Sequence, residues 1–163
     1  MCNQLIKDSQ HPQSGFYLNN LKDLSEILSQ NCDSKTLLIG VSYALLDLAE
    51  QFPQQLKNTI VMETGGMKGK RQEIIKSELH QKLKSPFQVQ HIHSEYGMTE
   101  LLSQAYSKGN GIFESPPWMK VLIRDAEDPF QLISHNQTGG LNIIDLANIN
   151  SCSFIATQDL GKS

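Results

Sequence analysis

Three apolar runs, each followed by a turn and then by helical periodicity, constrain this chain more than any other feature. Thr36-Leu37-Leu38-Ile39-Gly40-Val41 is continuous rather than alternating, as in a strand covered on both faces. Ser42 is placed to cap a helix over about 43–52, in which Leu45, Leu46, Ala49 and Phe52 share a face and Pro53 marks the end. The pattern returns as a strand at Thr59-Ile60-Val61-Met62, a turn at Glu63-Thr64-Gly65-Gly66 and a helix over about 70–83 carrying Ile75, Leu79 and Leu83. It returns again as a strand at about 88–93, a turn at 94–98 and a helix at about 99–107. Units of this kind in series predict a parallel sheet. Ahead of them, Leu18, Leu21, Leu24, Ile27 and Leu28 predict an amphipathic helix over about 19–30.

After Gly109 the runs shorten. Ile112-Phe113, Met119 to Arg124, Phe130 to Ser134, Leu141 to Leu146 and Ser153 to Thr157 are β-type, and Asn136-Gln137-Thr138-Gly139-Gly140 has hairpin chemistry. The expected fold is therefore α/β: a parallel-sheet α/β lobe over 1–109, then a mostly antiparallel β segment over 110–163 of the same domain.

Charge and cysteine content exclude several functions. The 14 basic and 17 acidic side chains give a net charge of −3, which argues against a broad basic footprint for nucleic acid. The three cysteines, Cys2, Cys32 and Cys152, are odd in number and lack CxxC spacing, so neither a disulfide framework nor a four-cysteine zinc site is expected. A reducing, cytoplasmic setting follows. No apolar run is long enough for a secretory signal or a membrane span.

Several stretches carry candidate chemistry. Gly65 to Arg71 looks like a phosphate loop, but only three residues separate the outer glycines, and Arg71 stands where a magnesium-binding hydroxyl is needed. The competing readings are a tight Gly-rich turn and a backbone that lies close to a flat ligand. His91, His93 and Glu95 alternate and would share a strand face, so a metal triad competes with ordinary hydrogen-bonded histidines. Cys152 reads as a small buried side chain. The fullest constellation is Ser94-Glu95-Tyr96-Gly97-Met98-Thr99-Glu100, after a strand and at the opening of a helix. Thr99 would sit where free N–H groups favour a phosphate, Glu100 would offer an oxygen to Mg²⁺, and Tyr96 would present a flat face to a purine. The plainer reading is an N-cap, a first-turn glutamate and a core tyrosine, and spacing alone leaves both open.

Tyr96-Gly97-Met98-Thr99-Glu100 resembles the Tyr-Gly-x-Thr-Glu motif of adenylate-forming enzymes. Glu63 to Gly69, His93 to Gln104, Pro116 to Asp125, Thr138 to Asn148 and Phe154 to Gly161 narrow the resemblance to the acyl-protein synthetase branch, over roughly residues 36–161. The resemblance implies part of an adenylate-forming N-terminal domain. It implies that Tyr96 stacks on adenine, that Gly65, Gly66 and Gly97 help line the nucleotide pocket, and that Thr99 contacts the α-phosphate. It also implies that Glu100 binds Mg²⁺ and that Asp159 grips the ribose. The implied reaction uses ATP and Mg²⁺ to convert a carboxylic acid, expected to be fatty, into an acyl-adenylate. The acyl group then passes to an acceptor protein or thiol. Nothing in residues 1–60 matches the family's Ser/Thr/Gly-rich phosphate loop, and Lys162 lacks the motif of a catalytic lysine. The resemblance thus implies the middle-to-late part of an adenylation domain, with a missing N-terminal half as a partner. The alternative is a truncated, non-catalytic nucleotide-binding or interaction module.

Overall fold

The computed structural model describes residues 2–31, 33–67, 69–133 and 136–162. They form two compact units, Met1–His93 and Ser94–Ser163. The change of character expected at Gly109 thus lies inside the second unit. Cys32, Lys68, Ser134 and Ser163, which figure in the sequence reading, lie outside the described residues.

The first unit is an α/β lobe. Two helices, α1 (Cys2–Ser9) and α2 (Leu21–Gln30), precede strand β1 (Thr36–Gly40), helix α3 (Ser42–Gln51), strand β2 (Thr59–Glu63) and helix α4 (Lys76–Phe87). β1 and β2 pair in parallel from Thr36↔Thr59 to Gly40↔Glu63. Leu38 and Val61 are buried in a core with Leu45, Leu48, Leu83 and Phe87. Burying such a side chain contributes roughly 1.5–3 kcal/mol, and this cluster holds the lobe together.

Two helix starts differ from expectation. Val41, in extended backbone, is the N-cap of α3 without a side-chain cap bond. Ser42 is instead the first helical residue, and its hydroxyl is turned to Glu63. α4 starts at Lys76 rather than near 70, and Ile75 is its exposed N-cap. Residues 70–75 stay irregular because Arg71 reaches back to α3, where its guanidinium binds Asp47 and Glu50. α4 also continues past 83 to bury Phe87 and ends at Gln88 in left-handed backbone. That left-handed turn leaves 88–92 irregular, so the expected strand at 88–93 begins only at His93.

The second unit is antiparallel. β3 (His93–Tyr96), β4 (Ala105–Ser107) and β5 (Phe113–Glu114) form a meander. β6 (Met119–Arg124), β7 (Gly139–Asp145) and β8 (Phe154–Gly161) form a three-stranded sheet. Leu101, Met119 and Ile143 form its core, with Tyr96, Met98, Val121 and Ile155 packed against them. The Phe130–Ser134 run yields a single bridge, Arg124↔Leu132, among the described residues. Gly139 is required where it stands, because a Cβ there would lie 2.1 Å from the Arg124 carbonyl oxygen. β7 and β8 lose register between Gly140 and Asn142. Arg124 fills that gap, donating to the carbonyls of Leu141 at 2.7 Å and Thr157 at 2.5 Å.

The helix expected at 99–107 does not form. Thr99 and Glu100 lie in a turn, and Ala105-Tyr106-Ser107 alternate buried, exposed, buried as strand β4. A helix there would need the amides of Leu102 and Ser103 for its own ladder. Both are taken instead by side chains from residues 145–148.

Candidate functional site

In the first unit the turn after β2 is built on a buried carboxylate. Glu63 is fully buried, and its Oε2 accepts the backbone N–H of Gly65 at 2.8 Å. Lys76 Nζ donates to Oε1 at 2.8 Å, and His80 Nε2 lies 3.7 Å from the same oxygen. A buried carboxylate needs such partners, since desolvation otherwise costs several kcal/mol. Gly65 and Gly66 have φ of 78° and 79°, a region that glycine enters without strain. Beside this turn is a cavity of about 140 Å³, bounded by Ser42, Glu63, Gly65, Gly66, Glu73 and Lys76 among others. Arg71, at the end of the stretch that looks like a phosphate loop, is occupied by Asp47 and Glu50. Its hydrogen bonds hold the Glu50 carboxyl below the usual carboxylate range. This loop therefore clasps α3 and does not offer Arg71 to a phosphate.

In the second unit the Tyr96 hydroxyl donates to Asp159 Oδ2 at 2.6 Å, joining positions 63 apart in sequence. The β7–β8 irregularity brings this about: Leu141 faces residues 157–159, and a bulge of this kind redirects the side chains it carries. Thr157 is buried, and its Oγ1 accepts the Asp159 backbone N–H at 3.1 Å. The Tyr96 ring is half-buried and meets Phe113 edge-on, with centroids 6.2 Å apart. Burial first, and then the hydrogen bond and negative charge of Asp159, push the phenol pKa up to about 12. Tyr96 is thus a held donor on a partly packed ring. Gly97 is exposed directly after β3.

Thr99 and Glu100 project from an exposed turn closed by Leu101 N–H donating to Met98 O at 3.1 Å. The helix N-terminus expected to present Thr99 to a phosphate is absent. What fixes the turn is Asp145 and Asn148, both buried. Sequence reasoning noted them only as part of a characteristic stretch. Their Asp-x-x-Asn spacing beside a short apolar strand was the available signal.

His91, His93 and Glu95 do not form a triad. His91 is exposed and precedes β3, and among the described residues no group of three or more His, Cys, Asp or Glu side chains is placed to hold a metal ion. Cys152 is exposed rather than buried, ahead of β8.

The fold is mixed α/β, with a parallel strand pair in one unit and antiparallel sheets in the other. No protein-family model and no curated protein matches the sequence. Among solved structures, ATP-bound MatB from Rhodopseudomonas palustris superimposes with a TM-score of 0.62 at 13% identity, over 88% of this chain and 31% of that one. A benzoate CoA ligase from Burkholderia xenovorans gives 0.53 at 14% identity, over 83% of this chain and 31% of that one. The luciferase-like enzyme of the mealworm Zophobas morio gives 0.54 at 17% identity, over 90% of this chain and 38% of that one. The chain thus shares the fold of part of each of these proteins. It spans about a third of their length.

Proposed function

We propose that this chain is the adenosine- and α-phosphate-binding part of an acyl-adenylate-forming ligase. One observation carries the reading. Tyr96 and Asp159, assigned by the sequence resemblance to adenine and ribose, are far apart in the chain and meet at 2.6 Å. Their fold is shared with a protein crystallised with ATP, which supports the choice of nucleotide.

In this reading the exposed part of the Tyr96 ring takes adenine, and the remaining oxygen of Asp159 takes a ribose hydroxyl. Gly97 contributes backbone to the same nucleotide. Thr99 donates to the α-phosphate. Glu100 would hold Mg²⁺; a single exposed carboxylate suits an ion that brings its other ligands from phosphate and water. That ion would supply charge neutralisation at the phosphates. The chain's own residues orient the α-phosphorus for attack by a carboxylate oxygen while pyrophosphate leaves. The acid is expected to be fatty, and the acyl group then passes to a thiol on an acceptor.

A second reading, a nucleotide-binding module without catalysis, is favoured by the lack of a Ser/Thr/Gly-rich loop in residues 1–60. Both readings require nucleotide binding. An aromatic–base stack contributes ~1–3 kcal/mol, so Tyr96→Ala should weaken AMP binding about tenfold by calorimetric titration. Equal affinities for wild type and variant would place the site elsewhere.

A further inference from the structure

We infer that Asp145 and Asn148 are positioning residues that set the Thr99–Glu100 turn for the nucleotide phosphate, an inference that rests on the adenylate-forming reading above. The segment from Met98 to Gln104 has neither helix nor strand to shape it. Three of its backbone groups are bonded by two side chains more than forty positions away. Asn148 does two jobs with one amide: Oδ1 accepts Leu102 N–H at 2.8 Å, while Nδ2 donates to Glu100 O at 2.7 Å. Asp145 Oδ2 accepts Ser103 N–H at 2.9 Å, and Oδ1 accepts the Ser103 hydroxyl at 2.8 Å and Ala147 N–H at 3.0 Å. Trp118 Nε1 donates to Ser103 Oγ at 2.9 Å. The clamp is itself fixed: Asp145 ends β7, and Asn148 ends the single 3₁₀ turn Leu146–Asn148, with Nδ2 also bonded to Ser151 Oγ at 3.0 Å.

The bonds fall on the backbone immediately C-terminal to Thr99, while the side chains of Thr99 and Glu100 remain exposed. Buried Leu101 anchors the turn in the core, and the amide of Asn148 sets its rotation about that anchor. A helix would normally hold a phosphate-facing threonine in place. Here a side-chain amide and a carboxylate replace the helical ladder. A preorganised contact of this kind is lost when its support loosens, even though the contacting group is unchanged.

Asn148→Asp keeps the shape and the acceptor for Leu102 but sets an oxygen against the Glu100 carbonyl. AMP and adenosine are the probes, because they differ only in the phosphate. In the folded variant, the preference for AMP over adenosine should fall about tenfold, as for loss of a hydrogen bond to a charged group. Adenosine affinity should stay within about twofold, and adding Thr99→Ala should cause little further loss, since both changes remove one contact. A variant that melts lower yet keeps the AMP preference overturns the inference and leaves the proposed function standing. Wild type that binds neither probe overturns the nucleotide reading, and this inference with it. Amide hydrogen exchange on wild type decides the matter if the variant does not fold. AMP, but not adenosine, should slow exchange at Leu102 and Ser103. Equal exchange with both probes overturns the inference.

Discussion

The phenol of Tyr96 is kept neutral by burial and by the carboxylate it donates to, which gives the site a pH signature. With its pKa raised from 10.0 to about 12, the protonated form is favoured in the folded chain. Its contribution to stability is complete below pH 10 and is lost as pH rises toward 12. Denaturant midpoints of wild type should therefore fall relative to Tyr96→Phe across that interval. A difference between the two that does not vary with pH would show that the phenol is unshifted. Tyr96 and Asp159 were legible as separate positions, because each stands in a recognisable stretch. Their hydrogen bond was not, since it depends on a bulge in β8 that no local pattern announces. Cys152 was misjudged for a related reason: it borders an apolar run but precedes the strand, so nothing buries it.

At the scale of elements, β2 and α4 are joined by the Glu63–Lys76 ion pair, and α4 depends on it at its first residue. Removing one partner of a buried pair costs ~3–5 kcal/mol, and the low end applies because the Lys76 side chain is 41% exposed. Lys76→Met should lower unfolding free energy by about 3 kcal/mol in urea titrations. A loss below about 1 kcal/mol would mean that Gly65 N–H and the other neighbours of Glu63 suffice without the lysine. Elements whose apolar residues settle the matter locally were readable: β1, β2, α2 and β6 sit where their runs predict. The segment 99–107 was not. Leu101, Leu102 and Ala105 imitate helical spacing, but Asp145 and Asn148 capture the amides on which a helix depends. Likewise α4 was placed several residues early, because the Arg71 clasp onto α3 leaves no trace in the 3.6-residue period.

For the molecule as a whole, the proposed function leads to a prediction about turnover, for a chain that spans about a third of its structural neighbours. Adenylation requires the β- and γ-phosphates to be held in line while pyrophosphate departs. Losing one preorganised donor can lower the rate roughly 10²–10³-fold, and a phosphate loop supplies several. Residues 1–163 alone should therefore bind AMP but show little carboxylate-dependent ATP–pyrophosphate exchange. Supplying a segment that carries the loop should raise the exchange sharply. Robust exchange by this chain alone would reveal an unrecognised phosphate site, to be sought first at Lys68 and Lys70. Among the described residues no helix is long and apolar enough to cross a membrane.

The bond from Tyr96 to Asp159 also imposes a timetable on folding. Every strand of the second unit lies between or at those two residues, apart from the first residues of β3 and the last of β8. The backbone entropy of closing so long a loop rises only slowly with its length, but contacts of such separation form late. During synthesis the first unit has its whole core available while the second still lacks β8. Tyr96 gains its carboxylate partner only after residue 159 has left the ribosome. A nascent chain can thus acquire a folded α/β lobe well before it acquires the Tyr96–Asp159 pair.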